Sequence, residues 1–547
     1  MSGAAWRRNM KKGGTVPKML IVGVDAGSVD LFERWMSTGD MPNLAAMKQS
    51  GCWGRVVNPY ALEAGAVWPV FHAGLRPGNF RQYDGRRYFD PGDYETRWYE
   101  AEQTPPPFWR QLSDQGLDCL LLDPPYMHAD PAIRGRMVVD WGGHVPANGQ
   151  QFRLRTVPES LRDEVLAQVG PDPVGGVMCD DLSPESIEDY REFLGRYLTR
   201  IEKRGELASR LLSEGDWQFA LIASMDLHCT GHHLWHVNDR SHPDYRPELE
   251  AALGEPLRDC YRAFDRSLGR MLEAVDDDTT VLLFGSHGMG PQYTGTGLLD
   301  RILLALDRGR PAMRARSLKT KLRTFWRRMP VEWRARLRHV RKPFSGKLHA
   351  PRFLGDHANR RFFEVYANNA SGGIRINLKG RECHGQVEPQ DYEALVKQIC
   401  EQLREVVNVD TGEPLVDDVI VTREHYHGDH VHALPDVLVR WNRRAPIRLV
   451  RSERIGTIAQ EAVDNRTGDH TPDGIFYACG PGVSATGPQP DVRAEDFAPT
   501  VARFLGFDEV VTDGVPIAVF EPQTSQPEQQ WPRYVGDAQA EPVAMSA

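Results

Sequence analysis

The best-spaced metal-ligand pair in this chain is His228 and His232, in the stretch Asp226-Leu-His228-Cys-Thr-Gly-His232-His233. Four residues apart, the two imidazoles share one face of a helical turn and can meet a common ion. Imidazole and carboxylate donors suit zinc, which is the metal expected here. Two ligands do not close a site, so others must arrive from distant segments. Asp226 in the same stretch, Asp25, His287 and His470 are the expected suppliers. A second run, His425-Tyr-His427-Gly-Asp-His430-Val-His432, has more imidazoles but no strand-end context, and it reads as a solvated loop.

The elements that must position these groups follow from hydrophobic pattern. The apolar run Lys18 to Val24 ends in Asp25. Runs at 219–223 and 280–284 end just before Asp226/His228 and Ser286-His287. A helix over 258–275 separates the last two. Strand, polar loop and helix in repetition predict an α/β fold with a mostly parallel sheet. In such sheets ligands collect at the carboxyl ends of the strands. Further helices are predicted over 31–35, 41–49, 67–75 and 390–407, with one or two over 184–212. Further strands are predicted over 120–122, 373–378, 419–422 and 437–439. Residues 79–216 are long, aromatic and Pro-rich, and they read as a cap. There Tyr83, Tyr88, Tyr94, Trp98, Tyr99 and Trp109 offer either stacking surfaces or a core of their own.

Composition narrows the setting. The chain has 547 residues and a formal net charge of -9. No apolar run reaches the ~18 residues of a membrane span, and the basic N-terminus lacks the apolar stretch of a secretory signal. The eight cysteines form no C-x-x-C pair, which argues for a reducing compartment. A cytoplasmic protein is expected, with peripheral membrane association as a variant of that reading. Net acidity argues against nucleic-acid recognition. It also hides an exception. Residues 308–361 hold 18 Lys/Arg against two acids, a local charge of +16, so the remainder carries -25. Leu318, Leu322, Phe325 and Trp326, then Trp333, Leu337 and Val340, follow helical spacing around Pro330. A basic helical insertion over 305–361 is expected, either as an inert solvated element or as a surface for an anionic partner such as lipid headgroups, a glycan or an acidic protein. Residues 1–17 read as a leader, 18–520 as one α/β domain, and 521–547 as a mobile tail.

An ordered set of motifs resembles the alkaline phosphatase superfamily, in its type I phosphodiesterase/nucleotide pyrophosphatase branch. The set begins with Leu20-Ile-Val-Gly-Val-Asp25, Met41-Pro-Asn-Leu-Ala45 and Trp68-Pro-Val-Phe71 with Gly74 and Pro77. It continues with Gly231-His232, Gly285-Ser-His287-Gly-Met289, Gly373 to Arg381, Gly468-Asp-His470 with Gly474, Gly480-Pro-Gly482, and Ala498-Pro-Thr500 with Phe504-Leu-Gly506. It spans roughly Lys18 to Pro516. The resemblance implies an alkaline-phosphatase-like three-layer sandwich and phosphoryl or related ester transfer at two cations. One cation is held by the first-strand Asp, a nucleophilic Thr or Ser and an Asp-His pair. The other is held by an Asp-x-x-x-His pair and a late His. Asp25, His232, His287 and His470 match ligands of this pattern.

The departures fall mainly on one side. Ser286 stands where the Asp-His pair has its Asp, and His228 stands where Asp-x-x-x-His has its Asp, with Asp226 as a substitute. No Thr or Ser precedes Trp68 in Leu62-Glu63-Ala64-Gly65-Ala66-Val67. One ion rather than two is therefore expected, with His228, His232 and His470 as a three-imidazole set and an open fourth position. The expected function is metal-dependent hydrolysis of phosphodiester or phosphate ester bonds by metal-bound hydroxide. Glu63 is the candidate replacement for the hydroxyl, as nucleophile, general base or ligand; the plain alternative is a helix N-terminal acid. Two other readings remain open: a sulfate ester hydrolase of the same superfamily, and a non-catalytic relative that binds a metal or an anionic ligand. The substrate itself is expected to be a small phosphorylated or sulfated molecule.

Overall fold

The computed structural model describes residues 17–146, 152–295, 297–309, 357–367, 370–460, 466–507 and 510–521, without the side chain of residue 180. The expected leader, the tail after 521 and all but the ends of the basic insertion lie outside the described residues. Where its flanks are described, the insertion is tied down by ion pairs: Arg360 to Asp300 at 2.6 Å and Arg361 to Asp307 at 2.8 Å.

A ten-stranded sheet organises the molecule. Its main strands are β1 (Lys18–Val24), β2 (Cys52–Val57), β3 (Cys119–Leu122), β4 (Gly135–Val139), β5 (Phe219–Ser224), β6 (Thr279–Gly285) and β7 (Asp473–Cys479). Across the sheet they run β2, β7, β6, β1, β5, β3, β4, with short strands at each edge. β6, β1, β5, β3 and β4 are mutually parallel. β7 is antiparallel to both β6 and β2. β1 is buried at every position after Lys18, as expected for a strand covered on both faces.

Side-chain alternation divides β1 between two cores. Leu20, Val22 and Val24 face a core shared with Tyr197, Leu207 and Phe264. Met19 and Ile21 face another with Trp68, Phe71 and Phe497. Four helices matter for the site: α1 (Glu63–Ala73), α2 (Ile187–Glu214), α3 (Asp226–Asn238) and α4 (Pro256–Glu273). Together they give the predicted three-layer α/β architecture. The 184–212 region is one helix rather than two, and the helix expected over 67–75 begins at Glu63. A separate four-stranded antiparallel sheet contains Phe362–Val365, Ser371–Ile376, Val437–Trp441 and Val416–Val421, packed with helices Leu299–Arg308 and Tyr392–Arg404.

All eleven residues of α1 are buried, including His72. Its imidazole lies 4.9 Å from the Trp109 ring and 5.7 Å from Trp68, and Nε2 has no hydrogen-bond partner. Burial pulls this imidazole down to about 3. The folded value lies below the unfolded one, so the contribution is intact above pH ~6.5 and is lost as pH falls toward 3. His72→Leu should remove a destabilisation of ~1.4 kcal/mol per pH unit over that range. Urea midpoints of the two proteins between pH 7 and 4 test this, and parallel curves would contradict it.

Candidate metal centre

The carboxyl ends of β1, β5 and β6 meet at one edge because their registers coincide. Val24 pairs with Ser224 on one side and with Gly285 on the other. Asp25, the start of α3 and the Ser286-His287 pair therefore emerge together. A two-stranded ribbon, Gly288–Pro291 against Gly468–Thr471, then returns His470 opposite Met289. Two glycines permit its close approach to α3. A Cβ on Gly468 would lie 2.2 Å from the Gly231 carbonyl oxygen, and one on Gly231 would lie 2.7 Å from Met289.

That approach brings three imidazoles together. His232 Nε2 is 3.2 Å from His228 Nε2 and 3.1 Å from His470 Nε2. Tetrahedral zinc with Zn–N bonds of ~2.0–2.1 Å places its donors about 3.3 Å apart. His232 Nδ1 lies 2.7 Å from the Gly468 carbonyl oxygen. A carbonyl only accepts, so Nδ1 carries the proton and Nε2 presents its lone pair. Burial first, then the surrounding imidazoles, hold His228 and His470 well below the usual histidine range. Neutral imidazoles with converging lone pairs are a donor set for a cation. The residues present thus fit the divalent metal implied by the sequence.

Asp25 stands beside this set. Its Oδ1 accepts from Trp68 Nε1 at 2.8 Å and from Ser286 Oγ at 3.1 Å. Its Oδ2 is buried with no hydrogen-bond partner among the described residues. Ser286 Oγ also lies 3.0 Å from His287 Nδ1. Since the hydroxyl proton goes to Asp25, the His287 Nδ1–H donates to the serine. His287 Nε2 is then the lone-pair atom, and it too is buried and unpartnered. Burial lowers the His287 proton affinity, and Asp25 opposes that shift. Ser286 thus orients both neighbours through one hydroxyl.

Asp226 lies elsewhere. Its carboxylate receives Arg200 Nε at 2.6 Å, Arg204 Nε at 3.1 Å and Ser224 Oγ at 2.7 Å. Burial pushes its carboxyl up, but the two guanidiniums outweigh this and hold it low. The structure groups Asp226 with arginines of α2, not with the imidazoles that face the ribbon. Glu63 opens α1, buried, with Arg440 Nε 3.5 Å from its carboxylate. Burial raises its proton affinity against the pull of Arg440. The nearby Arg443 donates to the His470 carbonyl, which ties the Glu63 region to the ribbon.

His144 is the residue that spacing arguments missed. It is 4% exposed, and its ring centroid is 4.3 Å from that of His228. The signal was present: Asp140-Trp-Gly-Gly-His144 follows the apolar end of β4, as Asp25 follows β1. His425, His427 and His432 are exposed, as a solvated loop requires. Of the cap aromatics, Tyr83 and Trp109 are core residues, whereas Trp98 and Tyr99 line a cavity of about 490 Å³ with Arg86 and Tyr126. The Tyr126 ring lies 6.1 Å from that of His144, so the cavity adjoins the imidazole cluster.

Asp226→Asn should leave two buried guanidiniums undercompensated and cost ~3–5 kcal/mol. Urea denaturation would measure the loss, and an unchanged midpoint would contradict the assigned pairing.

No curated protein matches the chain. The family model for type I phosphodiesterase / nucleotide pyrophosphatase matches residues 19–472. That span holds the sheet edge, the imidazole cluster and Asp25. The chain therefore belongs to the type I phosphodiesterase/nucleotide pyrophosphatase family, a group of phosphoester hydrolases within the alkaline phosphatase superfamily.

Proposed function

We propose that the protein hydrolyses phosphodiester or phosphate ester bonds with one resident divalent cation, zinc by donor type, held by His228, His232 and His470. The observation that carries this reading is the convergence of three buried Nε2 atoms at 3.1–3.2 Å. A bound cation polarises a phosphoryl oxygen and acidifies water to pKa ~7, which replaces the need for a side-chain hydroxyl. The chain's own groups do the rest. The Gly468 carbonyl fixes the His232 tautomer. Trp68 and Ser286 fix Asp25, leaving one carboxylate oxygen turned toward the cluster. Glu63, buried and with raised proton affinity, is suited to taking a proton from the attacking water. The cavity lined by Trp98, Tyr99, Tyr126 and Arg86 is the place for the organic group of the ester.

Metal analysis of purified protein, paired with phosphodiester, phosphomonoester and sulfate ester substrates, tests this directly. About one equivalent of metal is expected, with turnover on a phosphorus ester. His232→Ala should lose the metal and at least ~100-fold in turnover. Absence of both metal and turnover would overturn the proposal, and turnover confined to sulfate esters would reassign the substrate. Glu63→Gln should abolish turnover with metal content intact. Unchanged activity would remove Glu63 from the reaction.

A further inference from the structure

His144 reaches the cluster from outside the set of elements that carry the other donors. Its loop is held through the backbone of Trp141 and Gly142, just before it. Asp123 accepts from Trp141 N at 3.0 Å and from Gly142 N at 2.9 Å, and Arg204 donates to the Gly142 carbonyl at 2.6 Å. The same Arg204 pairs with Asp123 at 2.8 Å and with Asp226 at 3.1 Å. A buried ionic network thus sets the position of this imidazole.

Three donor atoms then gather around Asp25 Oδ2, in a group that shares His228 with the first. His144 Nε2 and His228 Nε2 each lie 3.9 Å from Asp25 Oδ2. Two metal–ligand bonds of ~2.1 Å span up to about 4.2 Å, so a cation fits between Asp25 and His144. Asp25 Oδ2 is the buried, unpartnered atom aimed into this space. One imidazole nitrogen binds one ion, so His228 cannot serve both groups at once. With His228 committed to His232 and His470, the Asp25–His144 position holds two protein donors among the described residues.

Charge gives the same answer. Across the two donor groups, Asp25 is the one carboxylate and the rest are imidazoles. Two divalent cations would leave a buried net charge of about +3, whose desolvation is unfavourable without an anion. A phosphate group brings both the missing charge and the missing oxygen donors.

We infer that Asp25 Oδ2 and His144 Nε2 form a second cation position that fills only when an oxygen of an anionic phosphoryl ligand completes it. This rests on the resident-ion reading above. His144 lies outside the motifs that carry the resemblance, and it stands in for the donor missing where Ser286 replaces a carboxylate. The second ion enters with the phosphoryl group, so cation and anion bind cooperatively.

Equilibrium dialysis of the full chain against Co²⁺, with and without inorganic phosphate, tests the proposal. The expected result is one equivalent without phosphate and two with it, with the second equivalent changing the visible cobalt spectrum. His144→Ala should stay at one in both conditions. His144→Gln, which keeps the volume, should behave alike and guards against a folding defect. A wild type that remains at one equivalent in phosphate, or a His144→Ala protein that still reaches two, overturns the inference while the resident ion stands. Loss of the first equivalent from the wild type overturns both.

Discussion

The site depends on a buried ionic network. Arg200, Arg204, Asp226 and Asp123 are all at most 3% exposed and joined by pairs of 2.6–3.1 Å. These charges compensate one another, with Asp172 as a further partner of Arg200 at 3.7 Å, because burial removes water as an alternative partner. The consequence is geometric. Arg204 links α2 to the start of α3 through Asp226 and to the His144 loop through Asp123 and the Gly142 carbonyl. His228 and His232 sit on the first element, and His144 sits on the second. Two sides of the donor cluster are thus referenced to one guanidinium.

The donors themselves are held by a second layer of hydrogen bonds. The Gly468 carbonyl selects the His232 tautomer, and Ser286 orients Asp25 and His287 at once. In each case the supporting partner takes one atom of the donor and leaves the other unpartnered or turned to the cluster. Such supporting contacts determine whether a metal ligand presents a lone pair or a proton. Replacing a carboxylate by Ser286 therefore does more than delete a ligand. It leaves an orienting hydroxyl and a less negative site.

Much of the fold was legible because it rests on local pattern. The continuous apolar run of β1 and those of β5 and β6, each followed by a polar loop, announced parallel strands buried on both faces. The i, i+4 spacing of His228 and His232 placed both on one side of α3 before any tertiary information. β2, β7 and the ribbon at 288–291 and 468–471 were less legible. Their sequences contain glycine and short polar stretches, whose strand character comes from partners rather than from propensity. Asp226 shows the limit of spacing arguments. Its position two residues before His228 suggested a common ion, but at the first turn of α3 its carboxylate points to the arginines of α2. Those arginines lie over 20 residues earlier, and nothing in the local sequence names them as partners.

By itself the sequence determined the α/β architecture, the ordered family motifs and the loss of a hydroxyl before Trp68, because these are properties of residue type and periodicity. Tertiary structure alone decided which acid meets which cation, which nitrogen of each imidazole faces the cluster, and that His144 joins it. Those outcomes depend on strand register and on backbones approaching within contact distance at Gly231 and Gly468. Side-chain chemistry is local, but coordination needs atoms placed to within a few tenths of an ångström, and only the packed sheet edge supplies that.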